Sequence, residues 1–385
     1  MEDFDSLVLT HESGVTTLLR LRERLLQGDC FRTRLSGLEQ TLQGHLSFLA
    51  EYRADLDLTI DDQRLLNLCL LAVKPGFITD PQSQVATLIA AGIHDWLEPL
   101  CAAVDIIGFD HWQPVLTRLV ADDQLLPAAR WQLLARYTPR LQYPVEQWPA
   151  QWADWLPGQL SVALRRQQLP LETALTWVAE DLETPAWQHD LLWLALSLIK
   201  VHHPQSTMLL SSWLAKAPDS VELINAIVAS GLAEFSQTLQ QSFKDGNIPA
   251  ICLAVHGDPG CVDFCLELLQ DPRHNQRGAE LWYWLTGQHL LQVPRLLEVG
   301  GEKGKGTMAN PDQAQQWLRQ NSARQSLWLG QPLTTGLMKT WVSCHLGQQA
   351  NMMQLKLWLR SSNDFLILSH ENHWQRRDTI TEVQL

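Results

Sequence analysis

Cys252, His256, Cys261 and Cys265 stand in a pattern that could do metal chemistry. Each half places its two ligands four residues apart. Side chains at i and i+4 share a helix face, so three thiolates and an imidazole would suit zinc. The Cys-x-x-Cys spacing of common zinc knuckles is missing, and the turn Gly257–Gly260 separates the halves. Small apolar cysteines packed between helices are the simpler reading, and no metal is expected. The stretch 300–307, GGEKGKGT, has the composition of a phosphate loop without its spacing. Val299 occupies the place of the loop's first glycine and Gly306 that of its magnesium-binding hydroxyl. His202 and His203 are adjacent, so on a helix they diverge by about 100°; they read as C-terminal caps ahead of Pro204. The carboxylates in ADLDLTIDD (54–62) and VADDQ (120–124) fall at junctions and N-cap positions. No Gly-x-Ser-x-Gly or His-Glu-x-x-His occurs. The expectation is a protein with no catalytic residues and no cofactor.

Tryptophan is the unusual residue type, with 17 in the chain. Trp148, Trp152 and Trp155 follow helical spacing and form one stripe. In ELWYWLTG (280–287), Trp282, Tyr283 and Trp284 point in three directions from one helical turn, so they cannot all face one core. At least one must meet a second surface. Trp317, Trp328, Trp341 and Trp358 offer such a surface from the C-terminal region. Internal packing between the two is the first expectation and a partner contact the second.

The 385 residues carry 29 Lys and Arg against 42 Asp and Glu, a net charge of −13. That balance opposes phosphate backbones and anionic lipid surfaces, so neither nucleic acid nor a membrane is an expected partner. The N-terminal MEDFDSLVLTHESG has no secretory pattern, and the apolar run 191–199 is about half a membrane span. Seven scattered cysteines suit a reducing, cytoplasmic setting.

These groups sit on helices. Phe31, Leu35, Leu38, Leu42, Leu46 and Leu49 recur at steps of three and four, after a helix of about residues 11–27, which makes residues 1–57 a helical hairpin. Convincing strand patterns are absent. From 58 to 298, helices of 10–17 residues are cut by Pro, Gly and Asp. Ala195, Ala226 and Ala254 take similar places in successive helices, 31 and 28 residues apart. Helix pairs at that period predict an all-α fold, an α-solenoid of HEAT-like pairs. Residues 299–310 read as a flexible linker. Residues 311–385 read as a C-terminal helical unit that caps the array by docking on ELWYWLTG. Asn310–Pro311 opens its first helix, Thr334 or Thr335 its second, and Gly347 stops the second.

HESGVTTLLRLRERLL with LEQTLQGHLSFLAEY, LAVHGDPGCVDFCLELLQDPRHNQRGAELWYWLTG, and QQWLRQNSARQSLWLGQPLTTGLMKTWVSCHLGQQANMMQLKLWL together resemble an uncharacterised bacterial helical-repeat family encoded near type VI secretion genes. The likeness is strongest over 250–360. The chain departs from that pattern at GEKGKGTMANPD, which is milder than the family's acidic, Trp- and Pro-containing segment. It departs again at QANMMQ, where arginines are usual. The resemblance implies no established activity. It does imply a setting: a scaffold or adaptor whose partner is a type VI effector, spike protein or toxin. An immunity protein against a cognate toxin is the alternative, and the acidic balance fits a basic toxin. A HEAT-like nucleic-acid enzyme is a third, which the charge opposes.

Overall fold

The computed structural model describes residues 2–27, 30–53, 56–137, 140–141, 143–144, 148–149, 154–166, 168–178, 188–294, 307–321 and 326–360. These are predominantly helical. The first half holds α1 (Glu2–Gln27), α2 (Arg32–Tyr52), α3 (Arg64–Val73), α4 (Pro81–Ala90), α5 (Leu97–Ile107), α6 (Phe109–Ala121) and α7 (Pro127–Tyr137). The middle holds α8 (Gln159–Arg165), α9 (Leu171–Val178), α10 (Gln188–Lys200), α11 (Ser206–Lys216), α12 (Val221–Ser230), α13 (Ser236–Asp245), α14 (Ala250–His256), α15 (Cys261–Gln270) and α16 (Asn275–Thr286). Last come α17 (Pro311–Asn321), α18 (Thr335–Cys344) and α19 (Gln348–Arg360).

α1 and α2 pack as the expected hairpin, with Leu35, Leu38, Leu42, Leu46 and Leu49 all buried. α1 begins at Glu2, earlier than the periodicity indicates. In the middle, α10 packs on α12, α12 on α14, and α14 on α16, while α11, α13 and α15 pack against members of this row. Ala195, Ala226 and Ala254 lie in α10, α12 and α14 with no exposure, so a larger side chain at any of them would collide with a packed neighbour. The apolar interior divides into two large clusters. One is built on α1 to α7 together with Val162 of α8, and the other on α8 to α19. Trp148 packs against both.

Among the described residues six short strands run against the expectation of none. β1 (Cys30–Phe31) pairs with β6 (His345–Leu346), β2 (Gln292–Pro294) with β3 (Thr307–Ala309), and β4 (Leu327–Trp328) with β5 (Gln331–Pro332), all antiparallel. Strands of two or three residues leave no alternating pattern to read. Most of the expected linker 299–310, with GGEKGKG, lies outside the described residues. Its end is not free chain: β3 is anchored by buried Asn275, whose Oδ1 accepts from Ala309 N at 2.7 Å and whose Nδ2 donates to Ala309 O at 2.9 Å. Asn310 caps α17 by accepting from Asp312 N, and Thr334 caps α18 by accepting from Leu337 N. α18 stops at Cys344, three residues before Gly347, because residues 345–346 are drawn into β6. The C-terminal unit is described only to Arg360.

Candidate interaction site

Of the aromatic residues singled out from the sequence, Tyr283, Trp284, Trp328 and Trp341 form a continuous seam, Trp282 and Trp317 a separate pair, and Trp358 lies elsewhere, against Trp193. Trp282 is buried and meets Trp317 of α17 edge-on, with ring centroids 5.4 Å apart. Trp284 and Trp328 lie 5.3 Å apart, Trp328 and Trp341 5.1 Å, and Trp341 stacks on His345 at 3.6 Å. His345 in turn meets Phe31 of β1 at 4.7 Å. Tyr283 continues the seam outward, stacking on His289 at 4.6 Å. The three directions of ELWYWLTG are thus used on α17, on the β4–β5 hairpin and on the surface. Trp328 is fully buried, while Tyr283, Trp284, Trp317 and Trp341 are half-buried. Edge-to-face and offset contacts of this kind add about 0.5–1.5 kcal/mol each beyond area burial.

A backbone device fixes the seam. Leu329 and Gly330, between β4 and β5, both have positive φ, 47° and 82°, as a tight hairpin turn of type I′ requires. Their amides donate to Trp284 O and Leu285 O, each at 2.8 Å, and satisfy the carbonyls left open at the end of α16. A Cβ on Gly330 would lie 2.8 Å from Thr286 O, so only glycine fits. The C-terminal region therefore docks on ELWYWLTG through this hairpin. α19 goes elsewhere. It lies across α12, α10 and α14, burying Met352, Met353, Leu355, Lys356 and Trp358.

Lys356 is the residue that sequence reading passes over. Its Nζ donates to His256 O at 3.0 Å and Ala229 O at 3.5 Å, carbonyls at the C-terminal ends of α14 and α12. Two helix dipoles point their negative ends at one ammonium. Burial, with Arg360 as the smaller cause, brings that ammonium down to about 7. The only sequence signal is a lysine inside the apolar run MQLKLWL.

The Cys/His quartet does not converge. Cys252 and His256 lie on α14, Cys261 and Cys265 on α15, and all four are buried. Cys265 Sγ donates to Gly278 O at 3.1 Å and Cys261 Sγ to Leu253 O at 3.8 Å. The His256 Nε2 bonds Leu232 O at 3.1 Å. Burial pushes the Cys252 and Cys261 thiols up to about 12 and Cys265 higher still, so they stay protonated. Burial, then Lys356, pulls His256 down to about 4. Among the described residues no group of three or more His, Cys, Asp or Glu is placed to hold a metal.

His202 and His203 do end a helix, by backbone rather than by charge. His203 N bonds Leu198 O at 3.0 Å and His202 N bonds Ile199 O at 3.1 Å, the paired bonds of a Schellman cap. His202 takes the left-handed place usually given to glycine, with φ 52°. Asp57 and Asp122 bond amides of their own turns. Trp152 lies outside the described residues; Trp148 and Trp155 stack at 5.4 Å.

Trp358 opens on a cavity of about 560 Å³ between α8, α10 and α19. Its walls are apolar, including Leu164, Leu171, Trp193 and the exposed Val201. Two cations lie on the indole faces: Arg165 over Trp193 at 4.3 Å and Lys200 over Trp358 at 3.8 Å. Such stacking holds each cation by the ring quadrupole. Burial, then Arg166, lowers Arg165 to about 9. Asp190 accepts from Gly158 N at 2.9 Å and Ser161 N at 2.7 Å and fixes the start of α8. No protein-family model, no curated protein and no solved structure matches this chain. Among the described residues no helix is long and apolar enough to cross a membrane.

Proposed function

We propose that this protein is a non-catalytic scaffold that grips a protein partner, an adaptor for an effector or spike component of a type VI secretion pathway. One observation carries the binding reading. Three buried ionisable groups of the middle and C-terminal helices bond backbone of the same chain: Lys356 helix carbonyls, Asp190 helix amides, and His256, through Nε2, Leu232 O. They hold the fold.

The row α10, α12, α14 and α16, with α11, α13 and α15 packed against it, supports the HEAT-like solenoid. α19 lies along that row, so the partner takes another surface. The cavity at Trp193 and Trp358 suits it, since apolar walls ringed by a few placed charges are typical of binding pockets. The sequence resemblance supplies the secretion setting, and the scattered cysteines, of which five are buried and free, go with a reducing cytoplasm.

The test is co-expression of the full chain with a spike protein and an effector from a type VI locus, followed by size-exclusion chromatography. A stable complex that Val201→Asp dissolves supports the reading. Failure to retain either component at micromolar concentration overturns it. The net charge of −13 favours an immunity role toward a basic toxin as the second reading. Protection of cells that express such a toxin would mark that role.

A further inference from the structure

His11 on α1 and His45 on α2 face each other in the N-terminal hairpin, with Nδ1 to Nδ1 3.1 Å and ring centroids 4.8 Å apart. Two features hold them there. The imidazole of His11 stacks on Phe48 at 3.9 Å, with the planes 19° apart. The ring of His45 lies over Gly14: a Cβ at that position would meet Cε1, Nδ1 and Nε2 of His45 at 2.9, 3.1 and 3.3 Å. Gly14 sits inside α1, where glycine costs about 1 kcal/mol relative to alanine. Its three nearest neighbours are all atoms of His45, so the room this glycine makes is room for that ring. Nearby, Glu12 is engaged with Arg53 at 3.2 Å.

We infer that His11 and His45 form a two-imidazole site for a borderline divalent transition ion such as Zn2+ or Cu2+, which cross-links α1 to α2. Nitrogen ligands about 2.0–2.1 Å from a tetrahedral ion stand roughly 3.3 Å from each other, and those of a square-planar ion roughly 2.9 Å. The observed 3.1 Å lies between these values. Imidazole nitrogen selects such ions over Mg2+ and Ca2+, which prefer oxygen. Among the described residues no third His, Cys, Asp or Glu completes a larger group, so water fills the remaining positions. Both rings are half-buried, which leaves those positions open to solvent. Without the ion, one Nδ1 donates a hydrogen bond to the other. Binding requires both nitrogens unprotonated, so acid weakens it.

The experiment titrates the full-length protein with ZnCl2, and with MgCl2 as control, by calorimetry, and records the electron paramagnetic resonance spectrum with one equivalent of CuCl2. The expected spectrum carries coupling to two nitrogens. His11→Gln and His45→Gln should each weaken Zn2+ binding by roughly tenfold or more. Gly14→Ala provides a readout independent of ligand removal. It displaces the His45 ring yet raises helix propensity, so it should weaken Zn2+ binding while the metal-free melting temperature holds or rises. Zn2+ affinity unchanged in both histidine variants, or a copper spectrum with fewer than two nitrogens, overturns the assignment.

Discussion

Replacing Lys356 with methionine tests whether the site between α19 and the row of middle helices disfavours a charged amine. The side chain is 1% exposed and, among the described residues, meets the carbonyls of His256 and Ala229 at hydrogen-bonding distance. Its ammonium falls from 10.5 to about 7 through burial, then Arg360. At about 1.4 kcal/mol per tenfold in a proton equilibrium, that is on the order of 5 kcal/mol across the window. In the unfolded chain the lysine is protonated through this window, and in the folded chain it is not. The unfolded state binds more protons, so this contribution makes stability rise as pH climbs from 7 towards 10.5. Below 7 both states carry the proton and the contribution is flat. Urea unfolding followed by tryptophan fluorescence, at about pH 7 and about pH 9, gives the wild-type-minus-Lys356→Met difference. That difference should shift in favour of wild type by roughly 2–3 kcal/mol at the higher pH. Other titrating groups cancel in the subtraction, and His256, brought down to about 4, titrates outside the window. A difference that stays constant between the two pH values refutes the reasoning.

Trp328→Ala should cost about 3–5 kcal/mol in denaturant unfolding, because the ring is fully buried between Trp284 and Trp341. Gly330→Ala should cost roughly 1–3 kcal/mol, since the new Cβ would sit in left-handed backbone against Thr286 O; an unchanged melting temperature would count against the hairpin as a cap on α16. His202→Gly should stabilise by about 1 kcal/mol, because glycine takes the same left-handed cap without the Cβ penalty. Calorimetry showing a loss of stability would mean that the histidine ring, not the backbone, makes the cap.

Much of the local structure was legible in the residues themselves. The leucine steps of α2 and the caps at Asn310 and Thr334 act within a turn or two, and the small residues Ala195, Ala226 and Ala254 recur on alternate helices, so their spacing carries the information. The crowding of Trp282, Tyr283 and Trp284 on one turn likewise announced a second surface, and α17 with the β4–β5 hairpin supplies it. For the Cys/His quartet, i, i+4 spacing records a shared face and not what that face meets; Cys261 and Cys265 meet carbonyls of neighbouring helices.

The amino-acid sequence thus determined the helical class and several helix ends, such as the caps at Asn310 and Thr334, since each depends on neighbours a few residues away. Tertiary structure alone decided where α19 lies, the pairing of Cys30–Phe31 with His345–Leu346, the meeting of His11 with His45 and the two helix ends that share Lys356. Lys356 reaches carbonyls 100 and 127 residues away in the chain. No periodicity encodes a contact of that kind, because its energy comes from burial that exists only once distant helices have packed.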